Sequence, residues 1–356
     1  MAVQIIAEAG SNHNGRIDYA FKLVDIAKEA GADIVKFQII NPDELYVPYY
    51  WEKDNKVINE VYQRRMTEKL DYDDWRKIYH YCKEKGILFT ASAFDKEGVD
   101  FLYSLKVPFI KLASSDLNNI ELIRYIAKKG MSTILSTGMA TLNEIEISVN
   151  EFTKYCDPKL LRVMHCVSSY PCDLSNAGLN KIDELKKNIP CEIGYSDHTQ
   201  SSIAACIAIE KGVTFLEKHF TLDKSLDGFD HKYASDLDEF KSYCKDVRDV
   251  EMDLNNDQFI QRGEEITAIR ARRSVYLNKE IQKGETINES DLVLLRPAGK
   301  LSPSDKFRMI GLKAGEDLRA YEPLQLSQEF VLRDNNPTWK KANDFWSNEM
   351  KEKNMK

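Results

Sequence analysis

The segment Gly194-Tyr195-Ser196-Asp197-His198-Thr199 stands where a short apolar run, residues 191–193, gives way to a helix-like run that begins at Ile203. A second histidine, His219, lies at the end of another strand-like run. In an α/β barrel the carboxyl ends of the strands form the rim at which active sites are built. The two imidazoles therefore predict a site at such a rim, because neutral histidines commonly share a divalent metal. The alternative interpretation is that they only make hydrogen bonds.

Strand-like and helix-like segments alternate through residue 255. The predicted strands are residues 4–9, 34–38, 87–91, 109–112, 133–135, 161–165 and the two runs that precede His198 and His219. Apolar residues fall at helical spacing between them. About eight strand–helix units of this length are typical of a (β/α)₈ barrel. An open doubly wound sheet is the alternative, but no glycine-rich dinucleotide turn follows the first strand.

The pattern changes after residue 255, where short strands and glycine turns replace the alternation. We expect a TIM-barrel domain over residues 1–255, a polar linker over 256–271, a small β-rich module over 272–331 and a polar tail over 332–356. Trp339 and Trp346 are candidate helix anchors in that tail. The long connection near residues 41–70 is expected to be functional or partly helical.

Composition excludes several classes of protein. The chain of 356 residues has a net charge of −7, so electrostatics gives no reason to expect nucleic acid as a partner. No apolar run is long enough to span a membrane, and the first residues acquire a charge too soon for a signal peptide. The seven cysteines show no C-x-x-C spacing. They predict reduced residues in a cytoplasmic protein.

Polar side chains accumulate where the predicted strands end. Lys36 and Lys111 lie inside otherwise apolar strands, and buried lysines are rare unless they are paired. Lysines and serines there suit a phosphate and a carboxylate, while histidines and carboxylates suit a metal and its water. A serine at a strand end is otherwise often a helix cap. The expected rim residues are Glu8, Lys36, Gln38, Ser92, Lys111, Ser114, Asp116, Ser136, Thr137, His165, Ser168, Tyr170, Ser196, His198, Glu217 and His219.

A polar loop, Asp227-Gly228-Phe229-Asp230-His231, follows the last of these strands. It is either a simple turn or a further part of the rim, where Asp230 would bind a polyol.

Several ordered segments resemble motifs of the sialic acid synthase family, which includes N-acetylneuraminate, legionaminic and pseudaminic acid synthases. They are residues 5–15, 32–38, 110–116, 135–139, 194–199 and 217–221. The module over 272–331 resembles that family's antifreeze-protein-like (SAF) domain, including Arg296-Pro297 and the turn at 283–285. The resemblance covers about residues 3 to 330 and does not extend to the tail.

The resemblance implies an enzyme that condenses phosphoenolpyruvate with an N-acetylated mannose-type aldose to give a nonulosonic acid and phosphate. His198 and His219 match metal ligands, with Mn²⁺ expected and Mg²⁺ or Co²⁺ as alternatives. Catalytic roles are implied for Glu8, Lys36, Lys111 and Asp116. Substrate binding is implied for Gln38, Ser92, Ser114, Ser136, Ser168, Tyr170, Ser196 and Asp230. Arg296 matches an arginine delivered to sugar bound in the partner subunit, which implies a domain-swapped homodimer.

Two positions differ from the bacterial sialic acid synthase pattern. Asp116 stands in place of a glutamate and Ser168 in place of an asparagine, so the aldose stays open between N-acetylmannosamine and a 2,4-diacetamido-trideoxy hexose. From another enzyme class, a metal-dependent barrel aldolase or hydrolase acting on another sugar could use the same histidines. A third hypothesis is a sugar-binding module on a decayed barrel. The polar strand ends favour the condensation over both.

Overall fold

The apolar runs of the first part of the chain form a closed parallel barrel. The computed structural model describes residues 3–256, 258–329, 331–334 and 348. Two units are distinguished, one ending at Asn256 and the other beginning at residue 257. The predicted tail residues Trp339 and Trp346 lie outside the described residues. No helix within the described part of the chain is long and apolar enough to cross a membrane.

The first unit alternates strands and helices as the sequence predicts. Its first half contains β1 (Gln4–Gly10), α1 (Ile17–Ala30), β2 (Ile34–Ile39), α2 (Pro42–Leu45), β3 (Tyr49–Glu52), β4 (Asn55–Ile58), α3 (Glu60–Glu68), α4 (Tyr72–Lys85), β5 (Leu88–Ala93) and α5 (Lys96–Leu105). Its second half contains β6 (Ile110–Leu112), α6 (Ile120–Lys128), β7 (Thr133–Ser136), α7 (Leu142–Thr153), β8 (Leu161–Cys166), α8 (Asn180–Asn188), β9 (Glu192–Asp197), α9 (Ile203–Glu210), β10 (Phe215–His219) and α10 (Leu237–Leu254).

The barrel closes in the order β1-β10-β9-β8-β7-β6-β5-β2. Since every neighbouring pair of these strands is parallel, all eight carboxyl ends lie at one end of the barrel. The predicted TIM barrel is confirmed, and the open doubly wound sheet is excluded.

Two layers of side chains fill the interior of the barrel. Alternate residues of a strand face the same side, so each strand gives the interior one residue near its beginning and another two positions later. The lower layer is an apolar cluster of Ile6, Ile34, Phe109, Ile134, Met164 and Phe215. Two positions beyond these residues come the polar Glu8, Lys36, Lys111, Ser136 and Glu217. The apolar layer thus closes the barrel directly beneath the polar one.

The outward residues of the strands pack against the surrounding helices in one large core. The last helix of this unit, α10, is also bonded to the beginning of the barrel. Its Arg248 donates to the carbonyl oxygen of Val3 at 2.6 Å and to the Asp33 carboxylate at 2.7 Å. Asp33 in turn accepts the backbone N–H of Ile5 at 2.7 Å. These bonds hold the first strand to the end of the unit.

The long connection after β2 contains the antiparallel pair β3–β4 and helix α3. Its strand residues are largely exposed, including Tyr50 and Trp51. The sequence predicts partial helix here, but the hairpin is a feature that its composition does not indicate.

The second unit has a separate small core. Helix α11 (Glu264–Ala271) precedes β11 (Ser274–Leu277), β12 (Leu292–Leu295), α12 (Lys306–Met309), β13 (Leu324–Leu326) and β14 (Val331–Arg333). The strands pair antiparallel as β11–β12 and β13–β14. The segment interpreted as a linker, 256–271, therefore contains a helix. Leu332 and Arg333, which we assign to the tail from sequence, belong to β14.

Gly194 on β9 provides room for the aromatic ring of Phe215 in the lower layer. A Cβ at this position would come within 2.3 Å of that ring. We expect Gly194→Ala to lower the free energy of unfolding by about 1–3 kcal/mol, because overpacking strains a dense interior. Urea unfolding followed by circular dichroism measures the loss. The same substitution in a Phe215→Leu background should cost clearly less, and equal losses in the two backgrounds would contradict the explanation.

Candidate functional site

A cavity of about 680 Å³ opens at the carboxyl ends of the barrel strands. The structure brings together most of the predicted site residues of the barrel around it, namely Glu8, Lys36, Gln38, Ser92, Lys111, Ser114, Ser136, Ser168, Tyr170, His198, His219 and Asp230. The cavity is also lined by Ala113, Ser115, Met139, Glu217, Gly228, Phe229, Lys232 and Tyr233.

The floor of the cavity is a buried network of two lysines and two carboxylates. Lys36 Nζ lies 2.7 Å from Glu8 Oε2 and 3.6 Å from Glu217 Oε2. Lys111 Nζ lies 3.3 Å from Glu217 Oε1. Each of these four residues is 3% exposed or less. Glu217 therefore connects the two ammonium groups, and the charges of the network sum to zero.

The pKa values in this network reflect competition between burial and ion pairing. Burial lowers the pKa of Lys36, but the charges of Glu217 and Glu8 outweigh it and the net pKa is raised. For Lys111, burial prevails over the attraction of Glu217 and the pKa is lowered. Burial would raise the pKa of Glu217, yet Lys111 and Lys36 bring it down to about 2. Glu217 is thus ionised at neutral pH.

Hydrogen bonds extend the network along the neighbouring strands. Lys36 Nζ donates to Ser92 Oγ at 3.1 Å, and Gln38 Nε2 donates to Glu8 Oε1 at 2.9 Å. In the strand register Glu8 pairs with Lys36, and Gln38 pairs with Ser92. The side chains meet because adjacent parallel strands place them side by side, facing the interior.

A second group of small polar side chains lies along β6, β7 and β8. Ser114 Oγ accepts the backbone N–H of Gly138 at 3.0 Å and contacts Cys166 Sγ at 3.1 Å. Ser136 Oγ is buried and has no hydrogen-bond partner among the residues that the structure describes. Such an orphaned hydroxyl, in the cavity that Lys111 also lines, is suited to a ligand oxygen.

The two histidines lie side by side at the rim, at the ends of the neighbouring strands β9 and β10. Their ring centroids lie 5.4 Å apart. His198 Nδ1 lies 2.6 Å from the carbonyl oxygen of Val167, a distance at which a protonated Nδ1 donates and leaves Nε2 with a free lone pair. Burial, helped by the neighbouring His219, lowers the pKa of His198 to about 3, so this ring is neutral.

An aromatic wall and a carboxylate stand beside the histidines. The Tyr170 ring lies 4.2 Å from that of His198, and the Tyr233 ring lies 5.5 Å from that of His219. Tyr233 donates its hydroxyl to Asp230 Oδ1 at 2.5 Å. Gly10 has a φ of +57°, and a Cβ there would come within 2.5 Å of Asp230 Oδ2. The glycine is therefore required for Asp230 to reach the cavity.

The two histidines provide donors that fit a divalent metal. His219 Nδ1 is buried without a hydrogen-bond partner in the described part of the chain, and Asp230 Oδ2 lies 3.8 Å away. Among the described residues, His198 Nε2 has a hydrogen-bond contact with Ser196 Oγ, at 3.4 Å. Within residues 3–256, 258–329 and 331–334, no group of three or more His, Cys, Asp or Glu side chains is arranged to hold a metal. An ion held by the two imidazoles would thus take its other ligands from water or substrate.

Some predicted site residues lie away from the cavity surface. Asp116 is buried in the short 3₁₀ turn Ser114–Asp116, where its carboxylate accepts bonds from Ser115 Oγ and Asn119 Nδ2, both at 3.0 Å. Ser196 lies beneath the surface and donates to Glu217 Oε1 at 3.0 Å. In this structure both side chains therefore make hydrogen bonds to neighbouring residues and do not line the cavity.

Three further residues of the sequence prediction lie elsewhere. His165 bonds the carbonyl oxygen of Ala177 at 2.8 Å, and Thr137 donates to the carbonyl of Met164 at 3.2 Å. Arg296 belongs to the second unit, where it follows β12 directly and is exposed.

The sequence assigns no role to Glu217, although it is among the expected rim residues. Its position two residues before His219 on one strand is a signal, because both side chains must then face the interior. Met139, Phe229, Lys232 and Tyr233 carry no comparable signal, since they lie on loops whose direction follows from tertiary packing.

Comparisons with known proteins identify the family of the chain. The NeuB family is matched over residues 23–258 and the SAF domain over residues 272–328. The chain is similar to N,N'-diacetyllegionaminic acid synthase of Legionella pneumophila, with 34% identity over 90% of this chain and 92% of the relative. It is equally similar, at 34% over 91% of this chain and 95% of the relative, to pseudaminic acid synthase of Campylobacter jejuni.

Among solved structures, the chain is similar to a sialic acid synthetase of Leptospira borgpetersenii in complex with citrate. The TM-score is 0.66 and the identity 31%, with 76% of this chain and 90% of that one covered.

Removing the charge of Glu217 should destabilise the barrel. Glu217→Gln leaves Lys111 buried without a carboxylate, so we expect the free energy of unfolding to fall by about 3 kcal/mol or more. Urea unfolding measures the change. Glu29→Gln is the matched control, because it removes the partner of Lys241 from an exposed pair joined at 2.6 Å. That variant should unfold like the wild type. Similar losses in both variants would contradict the central position of Glu217.

Proposed function

This chain belongs to the NeuB family, and we propose that it condenses phosphoenolpyruvate with an acylated amino-sugar aldose to give a nonulosonic acid and phosphate. The resemblance noted from its motifs is confirmed at the level of the family and of the SAF domain. The observation that carries the proposal is the pair of buried lysines, Lys36 and Lys111, on the floor of a polar cavity.

The lysines would bind the anionic end of phosphoenolpyruvate. In the free protein their charges are balanced by Glu8 and Glu217 within 3.6 Å. The phosphate and carboxylate oxygens of the substrate would accept further hydrogen bonds from the two ammonium groups. The same oxygens would also accept hydrogen bonds from the hydroxyls of Ser92, Ser114, Ser136 and Ser168. Because the ammonium groups are already held in place, they stabilise developing charge with little rearrangement.

The reaction forms a carbon–carbon bond between C3 of phosphoenolpyruvate and the aldehyde carbon of the sugar, while the aldehyde oxygen takes up a proton. Water then adds to C2 and loses one proton. As the bond between C2 and the phosphate oxygen breaks, the remaining hydroxyl proton passes to the leaving phosphate, which gives the 2-keto acid and phosphate. Glu8 is the carboxylate that we place next to the attacking water as proton acceptor. Its Oε1 is oriented by Gln38 at 2.9 Å.

His198 and His219 would hold the divalent metal, with Mn²⁺ as the proposed ion. When bound, the ion supplies Lewis-acid polarisation of the aldehyde. Beside these residues, the Tyr170 ring packs against the imidazole of His198 at a centroid distance of 4.2 Å and helps to hold it in place. Asp230 and Gln38 are placed to accept and donate hydrogen bonds to sugar hydroxyls.

The aldose is N-acetylmannosamine or a 2,4-diacetamido-trideoxy hexose. Relatives named for legionaminic and pseudaminic acid are equally identical to this chain, at 34%, so identity does not choose between products. The cavity of about 680 Å³ is large enough for phosphoenolpyruvate together with either sugar.

We further propose that Arg296 reaches the acyl group of sugar bound in a partner subunit of a domain-swapped homodimer. The exposure of this arginine at the end of β12 supports its availability for such a contact. A cytoplasmic location is supported by the cysteines, all seven of which are free.

Release of phosphate from phosphoenolpyruvate tests the proposed reaction. The purified protein with Mn²⁺ is assayed with N-acetylmannosamine, with a diacetamido-trideoxy aldose and without sugar. We expect release with one sugar to exceed the sugar-free rate by at least about tenfold. If the folded protein released no phosphate with either sugar, the condensation with these aldoses would be wrong. Turnover of a sugar without phosphoenolpyruvate would favour the alternative barrel aldolase or hydrolase.

Removal of the metal should abolish phosphate release. Treatment with a chelator is expected to reduce the rate at least about 100-fold, and added Mn²⁺ should restore it, because aldehyde activation depends on the ion. His198→Ala and His219→Ala should show the same loss without recovery. His80→Ala is the control, since this histidine is exposed on α4. Full activity of either rim variant would exclude that histidine as a ligand.

A further inference from the structure

A buried ion pair lies on the outer side of the two strands that carry the histidines. Asp197 on β9 is 1% exposed and Lys218 on β10 is 5% exposed. The strand register places them next to each other. Since successive residues of a strand face opposite sides, their neighbours Ser196 and Glu217 face the barrel interior while this pair faces the helices.

The pair is bonded to the backbone that follows His198. Thr199 donates to Asp197 Oδ1 with its backbone N–H at 2.8 Å and its hydroxyl at 2.7 Å. Lys218 Nζ lies 3.5 Å from Asp197 Oδ2 and donates to the carbonyl oxygen of Thr199. The N–H and the carbonyl of one residue are therefore both held by the pair.

These contacts fix the backbone on both sides of His198. Asp197 precedes the histidine and Thr199 follows it, while Lys218 directly precedes His219. A shift of Lys218 would therefore move the loop that carries one histidine relative to the strand that carries the other. On the cavity side, the His198 ring is held separately, by the bond between its Nδ1 and the carbonyl oxygen of Val167.

Stability alone does not explain a charged pair at this place. A buried ion pair gives little net stability, because desolvation offsets the attraction, and well-packed apolar residues often replace it without loss. The lysine also uses a hydrogen bond to hold one specific carbonyl group, that of Thr199. A packing role would not require that bond.

We propose that Asp197 and Lys218 are positioning residues that set the separation and orientation of His198 and His219 for metal binding. This inference rests on the proposed metal site. Outer groups that orient metal ligands commonly change metal affinity 10–100-fold when they are removed. In this chain the outer group acts through the backbone of the ligand and not through its imidazole ring.

Metal affinity and stability, measured separately, test the proposal. Mn²⁺ is titrated into the metal-free full-length protein, with free Mn²⁺ followed by electron paramagnetic resonance, and urea unfolding is measured without metal. Lys218→Met is expected to bind Mn²⁺ about 10–100-fold more weakly and to lose stability. Asp197→Asn combined with Lys218→Met removes both charges. This double variant should recover stability but still bind Mn²⁺ weakly. If the pair only stabilised the fold, Mn²⁺ affinity would recover together with stability.

Ser202→Ala is the matched control on the same loop. Its hydroxyl donates to Asp246 at 2.6 Å, beyond the held segment, so Mn²⁺ affinity should equal that of the wild type. Lys218→Arg, which keeps a donor and a charge, should recover part of the affinity. Wild-type affinity in the folded double variant would overturn the positioning role while leaving the metal site intact. Absence of Mn²⁺ binding by the wild type itself would instead overturn the metal site, and the positioning role with it.

Discussion

Two lysines inside a barrel cannot remain charged unless carboxylates accompany them. Glu217 meets this requirement for Lys36 and Lys111 together, and Glu8 contributes a second contact to Lys36. The balance explains why so much of the upper interior is polar. It also defines what the free site lacks, since the ammonium groups have few acceptors beyond these carboxylates, and an anionic ligand would supply them.

The histidines depend on a different kind of support. Their rings face the cavity and are held by carbonyl and aromatic neighbours, whereas the backbone that carries them is held from behind. The contacts on the cavity side limit rotation of the rings, whereas the contacts behind the strands fix the position of the backbone. A pair of histidines held in this way is preorganised without a rigid cage of further side chains around it.

The barrel could be predicted from sequence because each of its strands is a short apolar run followed by a helix-like segment. Site residues at strand ends followed from the same reasoning, since parallel strands bring their carboxyl ends together. The position of the Asp116 side chain could not be predicted in this way, because a 3₁₀ turn directs its carboxylate toward Asn119 and away from the cavity. The exposed hairpin β3–β4 and helix α11 lie in polar segments, where periodicity carries little information. The loop residue Tyr233 reaches the site only through folding of its loop.

The two layers inside the barrel also bear on how such a protein can change over evolutionary time. On a single strand such as β10, Phe215 packs in the apolar base and Glu217 belongs to the polar network that lines the cavity, only about 7 Å further along. Substitutions that alter ligand preference can therefore accumulate in the upper residues and loops while the apolar base continues to maintain the fold. Within the length of one strand, the residues that can change specificity are thus separate from the residues on which folding depends.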